Sequence, residues 1–226
     1  FATQRAFVAD AAHELRTPIA ALKLQAGLVA RARDDAARDA ALRDLHAGID
    51  RSAHLVDQLL TLARSEPHAR AAPGTTVDLA RIAHAAVTEM LPLGEARGAQ
   101  IGLEAAQPAN LQGDASALLG LARNLIDNAL RHTPIGSRIE VEVSGSDDEV
   151  CLSVDDDGPG IPVQERERVF DRFYRRSAGD DAGSGLGLAI VKAVVDRHAG
   201  RIELDQSALG GLRVTVRLPR AGAPAA

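Results

Sequence analysis

The chain reads as an α+β protein. An antiparallel helical hairpin, which doubles into a four-helix bundle on dimerisation, precedes an α/β sandwich in which helices cover one mostly antiparallel sheet. Three observations lead there. Apolar residues first recur at alternating spacings of four and three. A stretch carrying two prolines and a glycine then breaks that rhythm. Beyond it, helical patterns mix with short segments that alternate apolar and polar.

Val8, Ala12, Leu15, Ile19, Leu22, Ala26 and Val29 form the first seam, and Leu42, Leu45, Ile49, Ser52, Val56 and Leu59 the second. The charged turn from Arg31 to Arg38 joins them. Each helix of a lone pair buries one stripe, whereas two hairpins together bury far more, so a homodimer is expected. Residues 1–65 make this unit and 66–76 a linker (EPHARAAPGTT). Residues 77–220 make the second domain. Helices are expected from Leu79 to Leu91, Ser116 to Arg131 and Leu186 to His198. Extended pieces are expected near Gln100 to Glu104 and Asn110 to Gln112. Arg138 to Ser144 with Glu149 to Asp155, and Arg201 to Asp205 with Leu212 to Leu218, read as hairpins. The tail, 221–226, is expected to be disordered.

Composition sets limits. The 46% apolar content supports a real core, and the 2% aromatic content leaves it to Leu, Ile, Val and Ala. Phe170, Phe173 and Tyr174 cluster in one short stretch, which points to a local task. A formal charge of -5 argues against direct nucleic-acid binding. The single cysteine, Cys151, excludes an internal disulfide and fits a reducing compartment. No run is apolar and long enough to cross a bilayer. Met90 is the sole methionine, so the chain is expected to be a fragment lacking its natural N-terminal portion.

One histidine stands out. His13 follows seam residue Ala12 and is expected to face outward, with Thr17 one turn on along the same face. Glu14 beside it would hold one ring N–H or accept a proton, leaving the other nitrogen lone pair to attack. Pro18 cannot donate to the carbonyl of Glu14 and invites a bend there. His46, His54, His68, His84 and His198 carry no such company and read as surface histidines.

Three later segments suit a nucleotide. Asn124 and Asn128 stand one turn apart on a helix, their amide oxygens fit for Mg²⁺ or, equally, for a packing network. Arg131 and His132 extend that helix toward a phosphate. In Asp155-Asp156-Asp157-Gly158-Pro159-Gly160, a carboxylate suits the amino group of adenine, and the glycines admit a base close to the backbone. Gly183-Ser184-Gly185-Leu186-Gly187 opens a helix, where free amides favour phosphate. Between the glycine segments, Phe170 and Phe173 read as core anchors, while Arg175 has no structural excuse.

The order of these pieces resembles the transmitter region of bacterial sensor histidine kinases over nearly the whole chain. Residues 7–18 look like the family's H-box, 124–134 its N-box, 155–161 its first G-box, 168–175 its F-box and 183–188 its second G-box. The resemblance implies a dimerisation and phosphotransfer domain followed by a Bergerat-type ATP-binding domain. It makes His13 the phosphoacceptor, Glu14 its orienting acid or base, and Thr17 the group that positions water for dephosphorylation of a partner. Asn124 and Asn128 would hold Mg²⁺, Asp156 would read adenine, and Gly158, Gly160, Gly183, Gly185, Leu186 and Gly187 would shape the ATP pocket. Arg131 and His132 would line it, Arg175 would meet the terminal phosphate, and residues 162–184 would form a lid.

The implied activity is autophosphorylation by ATP and Mg²⁺, then transfer to an aspartate of a cognate response regulator, with phosphatase activity toward it. The H-box wording is closest to kinases whose regulators are of the winged-helix type. The implied location is the cytoplasmic side of a bacterial inner membrane, anchored through the missing portion. Two departures stand out: His132 where tyrosine is common and Ser184 where threonine is common. Two rival readings are an ATPase of the gyrase, chaperone or mismatch-repair type, which would lack the H-box hairpin, and a nucleotide-binding scaffold without kinase activity.

Overall fold

The computed structural model describes residues 2–64, 75–105, 109–174 and 184–221, with side chains throughout except at 2–10, 13, 14, 54, 57, 63 and 64. The chain divides into two compact units, Phe1–Ala63 and Arg64–Ala226.

The first unit is helix α1 (Ala2–Ala30) and helix α2 (Asp35–Arg64). Asp34 starts α2, its carboxylate accepting the N–H of Ala37 at 2.7 Å. Along α2, Leu55, Leu59 and Leu62 are buried, while Leu45 is half-buried. The helices approach closely at Gly48, where a Cβ would overlap the Gln25 amide oxygen and lie 2.9 Å from Leu22.

The seam drifts from the expected one. Ala12 and Ala26 are exposed, Ile19 is 60% exposed and Ile49 46%. One hairpin offers a single partner surface, so the expected stripe is divided between a buried seam and a second apolar face on the outside. α1 continues unbroken through Pro18.

In the second unit, β1 (Thr75–Asp78) pairs antiparallel with β3 (Asn110–Gly113). Residues 75 and 76, read from sequence as linker, are therefore strand. The larger sheet has the order β2-β4-β5-β7-β6. Its strands are β2 (Gln100–Ala105), β4 (Arg138–Gly145), β5 (Glu149–Asp156), β6 (Arg201–Gln206) and β7 (Leu212–Pro219). Only β2 with β4 is parallel. This is the α+β sandwich expected from the sequence.

Helices α3 (Leu79–Ala96), α4 (Ala115–His132) and α5 (Gly187–Arg197) supply the other layer. The strands bury Ile139, Val141, Val143, Val150, Leu152, Val154, Val214 and Val216 toward them, one residue in two as a one-sided sheet requires. Leu118, Leu121, Leu125, Ile126 and Leu130 of α4 are at most 2% exposed, each contributing about 2 kcal/mol of apolar burial. Caps fix two helix starts: Asp78 accepts the N–H of Ala80, and Asp114 those of Ser116 and Ala117.

Three sequence expectations need correcting. α3 runs past Leu91 to Ala96 through Pro92, because burial of Met90 and Gly94 continues its apolar face. Ala221, expected to open the disordered tail, donates its N–H to the carbonyl of Asn110 at 3.0 Å, while 222–226 lie outside the described residues. His198 is no plain surface histidine. It is half-buried, with Nδ1 2.8 Å from the carbonyl of Val194 and Nε2 accepting the N–H of Asp114 at 3.1 Å, which ties the end of α5 to the start of α4.

Candidate functional site

The site is built on the end of β5. Alternation along this strand turns Asp156 to the helical side and Asp155 to the opposite face. Asp156 is 6% exposed, and its Oδ1 accepts the N–H groups of Gly158 at 2.9 Å and Leu212 at 3.0 Å. Its main-chain oxygen accepts the N–H of Gly211 at 3.1 Å. Both described bonds to the carboxylate fall on Oδ1, so Oδ2 is the oxygen that none of the described residues engages. Burial pushes this carboxyl above its usual range, opposed by the hydrogen bonds from Leu212 and Gly158.

The three successive acids do not share one task. Asp155 accepts Arg213 Nε on both oxygens, at 2.9 and 2.8 Å, and Ser207 Oγ at 2.8 Å. Asp157 accepts the N–H of Arg138 at 2.9 Å. Each charge has its own direction and partner, although Asp157 and Asp155 still add to the upward push that burial gives the Asp156 carboxyl.

The C-terminal half of α4 stands between the two glycine segments. Asn124 and Asn128 are both half-buried. The Asn124 amide nitrogen donates to the carbonyl of Gly120 at 2.7 Å, and its oxygen points toward Gly187, 3.5 Å from where a Cβ would stand there. At the other end, the carbonyl of His132 and the methyl of Thr133 flank Gly158, each about 3 Å from a notional Cβ on that glycine. Arg131 is held by Asp127 at 2.6 Å, and the side chain of His132 is exposed.

α5 begins at Gly187, with Leu186 fully buried just before it. Ser184 Oγ accepts the N–H of Leu186 at 3.3 Å. Gly185 has φ of +68°, and a Cβ there would lie 2.7 Å from the backbone of Phe173. Phe173, itself at φ +63°, donates its N–H to the carbonyl of Gly185 at 2.9 Å. Gly160, at φ +66°, faces the carbonyl of Gly211. Of the aromatic stretch, Val169 is the buried anchor, while Phe170, Phe173 and Tyr174 are half-buried.

Asp156, Gly158, Gly160, Asn124, Asn128, His132, Gly185, Leu186 and Gly187 thus gather around α4 and the end of β5. Arg175 and Gly183 lie outside the described residues, as do nine residues of the expected lid, 175–183. Its earlier part forms two short 3-10 turns, Val163–Glu165 and Arg168–Phe170. His13 and Glu14 are helical in α1, their side chains outside the described set, and Thr17 is exposed on the same helix.

Sequence reasoning missed three supports. Gly211 packs against Asp156. Thr133 Oγ1 meets the carbonyl of Ala129 at 2.8 Å and Ser137 Oγ at 2.9 Å, closing α4. Arg166 donates to the carbonyls of Ile161 and Leu204, fastening the chain after the glycine loop to the edge strand β6. The Gly210-Gly211 pair before an alternating strand was the one available signal.

Comparison with known proteins places these features. Residues 3–68 match the His Kinase A (phospho-acceptor) domain, and residues 113–222 match the histidine kinase-, DNA gyrase B-, and HSP90-like ATPase family. The structure of the mycobacterial sensor histidine kinase MprB aligns with TM-score 0.57 and 33% identity, covering 67% of this chain and 99% of that one.

The chain belongs to the sensor histidine kinases. The match over its helical hairpin separates this kinase from gyrase-type and chaperone-type ATPases, which the second domain alone would not. Sensor protein QseC of Salmonella typhi is 37% identical over 216 residues, covering 95% of this chain and 47% of the relative. The probable sensor histidine kinase TcrY of Mycobacterium tuberculosis is 40% identical over 222 residues, covering 96% and 46%. The kinase chain described here spans about half the length of these curated relatives. It joins a phospho-acceptor domain and an ATP-binding domain on one polypeptide.

Proposed function

We propose that this chain autophosphorylates His13 from Mg-ATP and passes the phosphoryl group to an aspartate of a cognate response regulator, from which it also removes phosphate. The observation that carries the reading is Asp156: a buried carboxylate with one oxygen saturated by backbone donors and the other left for a ligand N–H, close to the C-terminal end of α4. That acceptor suits the amino group of adenine, and the amides at Gly187 suit phosphate. Gly158, Gly160 and Gly185 shape the walls, with Arg131 and His132 at the end of α4; in this reading Gly183 belongs to the same loop and Arg175 would meet the terminal phosphate.

Asn124 and Asn128 fit Mg²⁺ as hard oxygen donors one helical turn apart, the Asn124 nitrogen donating to Gly120 and its oxygen facing Gly187. Bound there, the ion would neutralise phosphate charge. The other steps belong to side chains. A lone pair of the His13 imidazole attacks the terminal phosphorus, the bond to the bridging oxygen breaks, and ADP leaves. Glu14 holds the opposite ring N–H or takes its proton. The phosphorus–nitrogen bond then breaks as an aspartate oxygen of the receiver attacks. Thr17, exposed one turn along, positions water for the reverse service.

The working unit in this reading is a homodimer, the regulator is of the winged-helix type, and the domains lie on the cytoplasmic side of a bacterial inner membrane. No helix among the described residues is long and apolar enough to cross a membrane. Labelled ATP tests the reading. The chain should gain acid-labile phosphate with Mg²⁺, and His13→Gln should bind ATP yet gain none. Label on that variant would remove His13 from its role.

A further inference from the structure

We propose that Gly211 is a positioning residue that sets purine discrimination, by letting the β6–β7 turn close on Asp156 and hold its carboxylate in one orientation. The inference rests on Asp156 being the residue that reads the base. Gly210 and Gly211 have different reasons to be glycine. Gly210 has φ of +106° and open space around it, so its need is conformational. Gly211 needs space. A Cβ there would overlap both Asp156 Oδ1 and the N–H of Gly158, and would lie 2.6 Å from the main-chain oxygen of Asp156.

That closeness lets two consecutive amides reach one residue. The N–H of Gly211 meets the Asp156 carbonyl, and the N–H of Leu212 meets Oδ1. The turn is also fastened on the far face of the sheet. The N–H of Ser207 donates to the carbonyl of Gly211 at 2.9 Å, and Ser207 Oγ donates to Asp155. It therefore grips both sides of the end of β5 and cannot retreat to make room for a methyl group. Any side chain at 211 must break the Leu212 bond or turn the carboxylate.

A fixed acceptor at Oδ2 favours a purine with an amino group at position 6 and repels one with a carbonyl oxygen there. A carboxylate free to turn loses that preference. The test is calorimetric titration of the full chain with ADP and with GDP, in Mg²⁺, for wild type, Gly211→Ala and Asp156→Asn. Wild type should prefer ADP, and Gly211→Ala, folded by thermal melt, should bind ADP about tenfold more weakly with the ADP:GDP ratio drawn toward one.

Unchanged affinities in Gly211→Ala would overturn the inference, and so would equal weakening of both nucleotides, which is what a purely structural glycine predicts. A wild type without preference for ADP would instead sink the base-reading role of Asp156, and this inference with it. Should Gly211→Ala not fold, amide exchange in the wild type decides. Protection of the Leu212 amide that is lost in Asp156→Ala supports the clamp, and its absence in the wild type overturns it.

Discussion

Asp155 and Asp156 are neighbours in sequence that face opposite sides of one sheet. Asp155 is closed by the Arg213 guanidinium and Ser207, whereas Asp156 is held on Oδ1 by two backbone amides. One carboxylate is spent on the fold, while the other keeps Oδ2 clear of the described residues, as the proposed base reading requires. The contrast follows from the two-residue repeat of a strand.

Asp156→Asn should abolish nucleotide binding while leaving the nucleotide-free protein as stable or more stable at neutral pH. Burial raises the Asp156 carboxyl, so as pH rises the unfolded chain loses this proton first. Stability from the group is thus lost between the ordinary carboxyl range, about 3.9, and the raised folded value. Above that window the wild type bears the full burden of a buried charge, and below it the two proteins converge. Thermal melts between about pH 3 and pH 8 check this. A clearly lower melting temperature for the variant at neutral pH would contradict it.

Arg213→Ala should destabilise the ATP-binding domain by about 2–3 kcal/mol, because it leaves Asp155, 3% exposed, with Ser207 as its one described side-chain donor. Arg213→Ala combined with Asp155→Asn should recover much of the loss. Urea denaturation of the single and double variants measures both, and equal stability of the two would argue against a true ion pair.

Ile49→Lys should convert the proposed dimer to monomer in light scattering while leaving nucleotide affinity unchanged. Ile49, Val56 and Leu60 are 46%, 41% and 49% exposed and lie seven and four residues apart on α2, a second apolar stripe that the hairpin alone leaves outside. A wild-type monomer at micromolar concentration would count against the bundle.

Pro18→Ala should shift the balance of kinase and phosphatase rates. α1 runs through Pro18, which cannot donate to the carbonyl of Glu14, the residue beside His13. Alanine restores that bond and stabilises the helix, by up to about 3 kcal/mol on propensity alone. If both rates stay as in the wild type, the freed carbonyl is incidental.

Much of the fold was legible because its periodicities are local. The four-three spacing marked α1 and α2, and the alternation in 138–144, 149–155 and 212–218 marked β4, β5 and β7. β1 was not legible, since Thr75–Asp78 is too short to show a pattern and is held in place by pairing with β3 more than thirty residues away. The site divided likewise. Asp156, Gly158, Gly160 and Gly185 announced themselves by type and spacing, whereas Gly211 and His198 acquired their contacts only through the chain's return.

Sequence alone determined the two-part architecture, the order of the nucleotide segments and the single histidine with an acid and a proline for company. These depend on spacing along one strand or helix, which neighbours in the chain dictate. Tertiary structure decided which acid of three faces the helices, which oxygen of Asp156 the backbone amides take, and why no side chain fits at 211. Those are consequences of backbones meeting across β5 and β7, with registers fixed by packing of the whole sheet rather than by any one segment.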